Sequence, residues 1–167
     1  MKNILIHPSA VIEPGAKIAR DVIVGPFSYI GAEVVLHPGV EIKSHVVVTG
    51  NTEIGRATVV YPFAVVGEIP QDLKFNGEQT SLKIGERNQI RENVTINVGT
   101  AGGGGITLVG NNCLFMTGSH VAHDAVIGDN VIVANCGAIA GHCVIEDDVI
   151  IGGLSGVHHF VRIGRGA

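Results

Sequence analysis

Large aromatic side chains are scarce in this sequence: tryptophan is absent, and aromatic residues make up only 4% of the 167 positions. A globular core built around such side chains is therefore not expected. Apolar residues still reach 46%, which is enough to bury a continuous core in a chain of single-domain length. We expect one domain over residues 1–167, with a core of Val, Ile, Leu and Ala.

Clusters of basic residues are also missing. The chain has 11 Lys and Arg against 15 Asp and Glu, for a net charge of −4, and no stretch concentrates enough positive charge to neutralise a run of phosphates. Nucleic acid is thus not an expected partner. Because we find neither an apolar run of about 18 residues nor a secretory leader, we expect a cytoplasmic protein without stable membrane insertion.

Cysteine is too rare for a disulfide framework. The three cysteines, Cys113, Cys136 and Cys143, are an odd number in a chain without a secretion signal. We expect all three to be buried free thiols, since no flanking pattern marks any of them as a catalytic nucleophile.

Glycine, by contrast, is abundant, with 24 residues, and it accompanies an aliphatic residue that recurs every six positions. In the first half of the chain these aliphatic positions are Ile6, Ile12, Ile18, Val24, Ile30, Leu36, Ile42, Val48, Ile54, Val60 and Val66. A period of six fits neither a helical stripe nor a long alternating strand. It fits short strands joined by tight corners, where Gly, Asn and Asp supply the turn conformations.

If each six-residue unit forms one side of a triangular prism, eighteen residues complete a coil, and successive coils stack as parallel strands about 4.8 Å apart. We therefore predict an all-β fold, a parallel β-helix built from hexapeptide repeats. The repeat fails where the sixfold positions hold Asp72 and Glu78, which predicts an excursion loop at about residues 68–83. The frame also slips by one residue across the glycine run 102–105.

The same arithmetic brings histidines together. Residues eighteen apart should lie above one another, so His123 stacks on Gly141 and His159, with His142 and His158 directly beside them. After allowing for the slip, the glycine run and the excursion loop fall on this side of the prism as well. This convergence predicts a functional site at one edge.

Histidine suits acid–base chemistry, because it titrates near neutrality and can take a proton from a hydroxyl or amine that attacks a carbonyl. His123 is the candidate general base, and Asp124 would hold one of its ring nitrogens. The backbone N–H of Gly141 would donate to a developing oxyanion. Since the sequence marks no nucleophile, direct attack by the acceptor is simpler than an acyl-enzyme.

Finer motifs carry a resemblance to a known family. They are Gln71-Asp72-Leu73-Lys74, Ile90-Arg91-Glu92-Asn93-Val94-Thr95-Ile96, His120-Val121-Ala122-His123-Asp124, Ala140-Gly141-His142 and Val157-His158-His159-Phe160. In this order, across essentially the whole chain, they resemble the acyl-carrier-protein:UDP-N-acetylglucosamine O-acyltransferases, which open lipid A biosynthesis. The resemblance implies transfer of a 3-hydroxyacyl chain from acyl carrier protein to the 3-position of UDP-N-acetylglucosamine.

The resemblance also implies a left-handed coil, against the usual right-handed crossover, and a homotrimer with active sites in clefts between subunits. It makes His123 the general base, Asp124 its partner and Gly141 the oxyanion donor. It assigns substrate binding to Gln71, Asp72, Lys74, His120, His142, His158 and His159, the last of which stands where the family typically has Gln. No metal or separate cofactor is implied, because the donor arrives on the phosphopantetheine arm of acyl carrier protein. The family continues with further coils and a C-terminal helical region, which we expect this chain to lack.

Other interpretations stay open at this point. One is a related N-acyltransferase of the same pathway, or an acetyltransferase that uses coenzyme A. A second is a zinc site in which His120 and His123 converge with a third histidine. A third is a β-helix that is structural and without activity.

Overall fold

The computed structural model describes residues 5–167, which form a parallel β-helix. Each coil places one strand in each of three eight-stranded parallel sheets, and most strands are only two residues long because the chain turns a corner every six residues. The predicted fold class, an all-β left-handed helix of hexapeptide repeats, is confirmed. Residues 1–4 of the predicted domain 1–167 lie outside the described range, and the single-domain organisation stays a prediction.

The three sheets form the sides of the prism. Sheet A contains β1 (Leu5–Ile6), β4 (Ile23–Val24), β7 (Glu41–Ile42), β10 (Val59–Val60), β13 (Gln89–Ile90), β16 (Leu114–Phe115), β19 (Ile132–Val133) and β22 (Ile150–Ile151). Sheet B contains β2 (Val11–Ile12), β5 (Tyr29–Ile30), β8 (Val47–Val48), β11 (Val65–Glu68), β14 (Thr95–Asn97), β17 (His120–Val121), β20 (Ala138–Ile139) and β23 (Gly156–Val157). Sheet C contains β3 (Lys17–Ile18), β6 (Val35–Leu36), β9 (Asn51–Ile54), β12 (Ser81–Ile84), β15 (Ile106–Val109), β18 (Val126–Ile127), β21 (Val144–Ile145) and β24 (Arg162–Ile163).

The aliphatic residues of the sixfold repeat stack in the interior. Ile30, Ile42 and Ile96 are fully buried, whereas Ile6 is 37% exposed because, within residues 5–167, it belongs to the first coil. Burying one such side chain contributes roughly 1.5–3 kcal/mol. The repeated interior stack is therefore what holds the coils together.

The excursion loop is shorter than the sequence predicts. Strand β11 continues to Glu68, and β12 begins at Ser81, so the residues outside the strands are 69–80 rather than 68–83. The predicted boundary at residue 83 was wrong, because it rested on aliphatic residues alone and Ser81 and Lys83 are polar. Both nevertheless belong to β12, where they pair in register with Asn51 and Glu53 of β9. The predicted slip at the glycine run is where the chain inserts a short 3-10 helix, Ala101–Gly103.

The edge between sheets B and C is where the functional candidates gather. Its turns are made by residues in the left-handed region, Asp124 (φ 59°), His142 (φ 62°) and Phe160 (φ 63°). Asp and His tolerate this region better than most residues. Within residues 5–167 there is no helix with the length and apolar character needed to cross a membrane.

Candidate functional site

The predicted histidine column is present at the edge between sheets B and C. Strand pairing aligns His120 with Ala138 and Gly156, and the backbone N–H of His142 donates to the carbonyl of His123 at 3.1 Å. The His123 ring centroid lies 5.0 Å from that of His142 and 6.3 Å from that of His159.

His158 completes this histidine group. Its ring centroid lies 5.5 Å from that of His159, in an edge-to-face arrangement. The structure thus brings together all the histidines that the sequence predicts for the site. Their individual roles stay predictions.

His123 and Asp124 form a buried pair. Nδ1 of His123 lies 2.7 Å from Oδ2 of Asp124, and the two side chains are only 8% and 0% exposed. Neighbours on a regular strand would point to opposite faces. Here the left-handed turn at Asp124 lets both side chains point the same way, which settles a geometry that the sequence left open.

The tautomer of His123 follows from the partners of Asp124. The Asp124 carboxylate accepts hydrogen bonds from the Thr100 N–H at 2.8 Å and from the Thr100 hydroxyl at 2.6 Å. With donors at both oxygens, the carboxylate acts as an acceptor toward His123. Nδ1–H of His123 therefore donates to Asp124, and Nε2, which has no hydrogen-bond partner in residues 5–167, carries the lone pair of a base.

Gly141 lies against the His123 ring. A Cβ at this position would be 2.6 Å from Cε1 and 2.8 Å from Nε2 of His123. The strand register places Pro14 at the corner position of an earlier coil that corresponds to Gly141. Because proline has no N–H, the fold does not require a hydrogen-bond donor at this position, and the Gly141 amide is not needed to hold the coil. Gly141 therefore has a steric role in addition to the predicted oxyanion role, which stays a prediction.

His120 occupies the outer face of sheet B beside the pair. Its Nδ1 lies 2.7 Å from the hydroxyl of Thr95. Burial, aided by the proximity of His123 and opposed by the Thr95 contact, lowers the pKa of His120 below the ordinary value of 6.5. His120 is therefore a neutral polar group at pH 7.

A cavity of about 540 Å³ opens beside these histidines. Its walls combine small apolar residues of sheet B with histidines and with one residue of the excursion loop, and they comprise Gln71, His120, Ala122, His123, Ala138, Ile139, Ala140, Gly156, Val157, His158 and His159. An elongated apolar group with a polar end would suit such a lining.

A second, more polar cavity of about 280 Å³ lies between the excursion loop and the same edge. Asp72 and Lys74 line it together with His142 and Phe160. Phe160 was not among the predicted site residues, although its ring stacks on that of His142 with centroids 4.5 Å apart and planes 5° apart. Charged side chains, including that of Glu78, thus line the cavity beside a stacked aromatic surface, and such a lining can hold a polar ring such as a sugar.

Three ligand atoms, from His123, Asp124 and His142, lie within 4.8 Å of one another and could share a metal ion. This set differs from the zinc alternative, which required His120. The Asp124 carboxylate already accepts three hydrogen bonds, two from Thr100 and one from His123. These three hydrogen bonds account for the burial of the carboxylate without a metal ion.

The cysteines are free, and two of them are buried as expected. Burial raises the pKa of Cys113 to about 11 and also raises the pKa of Cys143. The expectation of burial was wrong for Cys136, which is exposed because it forms the left-handed corner between sheets A and B.

Comparison with known proteins places the chain in a family. The model of the bacterial transferase hexapeptide family (six repeats) matches residues 106–141. An acyl-[acyl-carrier-protein]--UDP-N-acetylglucosamine O-acyltransferase from Paracoccus denitrificans (strain Pd 1222) is 63% identical over 109 residues, which are 65% of this chain and 42% of that protein. The protein of the same name from Anaeromyxobacter sp. (strain Fw109-5) is 51% identical over 160 residues, 96% of this chain and 62% of that one.

A solved structure supports the same relationship. UDP-N-acetylglucosamine O-acyltransferase from Moraxella catarrhalis RH4 superimposes with a TM-score of 0.91 at 46% identity, covering 95% of this chain and 62% of that one. The chain therefore spans less than two thirds of the length of these relatives. Over the part that it spans, the chain belongs to the UDP-N-acetylglucosamine acyltransferase family of hexapeptide-repeat proteins.

Proposed function

We propose that this chain transfers a 3-hydroxyacyl group from acyl carrier protein to the 3-hydroxyl of UDP-N-acetylglucosamine, the first step of lipid A biosynthesis. The observation that carries the proposal is the buried His123–Asp124 pair beside an apolar cavity, with Nε2 of His123 free to act as a base. Relatives that carry the name of this activity match 96% of the chain at 51% identity.

The chemistry follows from the pair. Nε2 of His123 removes the proton of the sugar hydroxyl as its oxygen attacks the thioester carbonyl, and Asp124 stabilises the imidazolium. The N–H of Gly141 donates to the oxyanion. When the carbon–sulfur bond breaks, the imidazolium returns its proton to the departing thiolate, which leaves as the thiol of the carrier arm.

The two cavities divide the substrates in this proposal. The larger one has an apolar wall that includes Ala138, Ile139 and Val157, which suits the acyl chain, with Gln71, His158 and His159 toward the thioester and carrier arm. The smaller one, with Asp72, Lys74 and His142, suits the sugar nucleotide. No metal and no separate cofactor take part, since phosphopantetheine stays on the carrier protein.

We further propose that the chain acts as a homotrimer in the cytoplasm. The support is an exposed apolar ridge at the edge between sheets A and B, where His45 stacks between Phe27 and Phe63 with centroid distances of 5.1 and 5.2 Å. Phe27 and Phe63 are 64% and 57% exposed, and exposed apolar groups in a row mark contact surfaces. Sedimentation at a monomeric mass would contradict this part of the proposal.

Incubation of the chain with a 3-hydroxyacyl carrier protein and UDP-N-acetylglucosamine tests the function. Mass spectrometry should detect the acylated UDP-sugar, and an acceptor that lacks the 3-hydroxyl should give none. Equal product from an acceptor with a 3-amine would favour the related N-acyltransferase activity. No product from any acceptor would contradict the proposal.

A further inference from the structure

We propose that Thr100 is a positioning residue for the His123–Asp124 pair, and that the glycines after it let the chain close over the Asp124 carboxylate. The residues concerned, 100–105, are here called the aspartate cap. This inference rests on the proposed function, and it gives a purpose to the glycine run that the proposed chemistry leaves without one.

Thr100 holds both oxygens of the carboxylate. Its backbone N–H donates to Oδ1 of Asp124 at 2.8 Å, and its hydroxyl donates to Oδ2 at 2.6 Å. His123 shares the second oxygen at 2.7 Å. Because Thr100 fixes where Oδ2 sits, it also fixes the direction in which Nδ1–H of His123 must point.

Gly103 seals the carboxylate from water. A Cβ at this position would lie 2.0 Å from Cγ of Asp124 and 2.2 and 2.4 Å from its two oxygens. Nothing lies within 4 Å of the Cβ that a side chain would add at the neighbouring Gly102. The close approach is therefore specific to Gly103, and the Asp124 side chain is 0% exposed beneath it.

The aspartate cap is held in this shape by its own turn. The N–H groups of Gly103 and Gly105 both donate to the Thr100 carbonyl, at 3.0 and 2.8 Å. Gly104 and Gly105 have φ values of 100° and 80°, which glycine adopts readily. On the other side, the Asp124 N–H donates to the Thr107 hydroxyl at 2.8 Å, so the turn that carries Asp124 is fixed from both directions.

The hydrogen bonds from Thr100 matter energetically because the Asp124 carboxylate is buried. A buried carboxylate is stabilised only while it is fully hydrogen-bonded, and Thr100 supplies two of the three donors that reach Asp124. Without the Thr100 hydroxyl, the Asp124 carboxylate could rotate, and the His123 ring could then also adopt the tautomer with its proton on Nε2. A misplacement of about 1 Å in such a group can cost on the order of 100-fold in rate.

Thr100→Val in the full chain removes the hydroxyl at nearly constant volume, and Thr100→Ser restores it. We expect Thr100→Val to lower kcat by about 10-fold to 100-fold, and Thr100→Ser to recover most of the loss. Nitrogen NMR of the His123 ring should show Nδ1–H in the wild type and in Thr100→Ser, and a mixture of tautomers in Thr100→Val.

Gly103→Ala gives a second route to the same readout if Thr100→Val does not fold. It should perturb the His123 tautomer, whereas Gly102→Ala should leave the ring signals of His123 as they are. Wild-type kcat and tautomer in Thr100→Val would overturn the inference while leaving the proposed function intact. If the wild type transfers no acyl group, the tautomer measurement decides alone, because it needs no substrate.

Discussion

Gly141 lies so close to the imidazole of His123 that a Cβ on it would stand 2.6 Å from the ring carbon Cε1. A glycine one coil away from the base thus sets the position of the base. The contact is between a backbone and a side chain that can rotate, so its disruption should displace the ring more than it disturbs the fold.

Gly141→Ala should therefore separate activity from stability. We expect the free energy of unfolding to fall by only about 1 kcal/mol, because His123 can move aside, while acyl transfer falls by on the order of 100-fold. Urea unfolding and initial rates measure the two effects. Gly31→Ala is the matched control, since its added Cβ would meet no atom nearer than Cα of Thr49 at 3.3 Å and Gly31 lines neither cavity. A loss of activity there equal to that of Gly141→Ala would refute this explanation.

His120 should make stability depend on pH. Burial lowers the pKa of His120 in the folded chain below the ordinary value of 6.5. Between the folded and the unfolded pKa, the unfolded chain therefore binds more protons than the folded one. The free energy of unfolding then falls as the pH falls. The contribution reaches at most about 1.4 kcal/mol per pH unit. Between pH 7.5 and pH 5.5, the free energy of unfolding measured in urea should fall less for His120→Gln than for the wild type. An equal fall in both would contradict a lowered pKa for His120.

The thiols should differ sharply in reactivity. Cys136 is exposed, whereas Cys113 and Cys143 are buried with raised pKa values, and only the thiolate reacts quickly. Alkylation of the native chain at pH 8 should modify one thiol. In the Cys136→Ser variant, no thiol should be modified on the same timescale. Modification of all three at similar rates would show that the coils around Cys113 open readily.

Much of the fold follows from the sequence because the period of six is a direct consequence of the prism. The interior positions and the stacking of His123, Gly141 and His159 come from counting alone. Handedness does not, because a left-handed and a right-handed prism would show the same repeat. The resemblance supplied it instead.

The site was less accessible to sequence reasoning where the frame is interrupted. Thr100 lies between the excursion loop and the slip, so no count of eighteen connects it with Asp124, although the two are hydrogen-bonded. The side-by-side arrangement of His123 and Asp124 depends on a φ of 59° at Asp124, which the residue type permits but does not dictate. The sequence shows Phe160 only as the last residue of the motif Val157-His158-His159-Phe160, and no spacing rule marks it as a site residue.

The role of His123 as general base is the central claim, and it is tested most directly by comparing kcat/KM for acyl transfer in the wild type and in His123→Ala. We expect a loss of about 100-fold to 10,000-fold, with the circular dichroism spectrum and the sedimentation coefficient unchanged. Turnover within about 2-fold of the wild type in a folded His123→Ala chain would contradict the account.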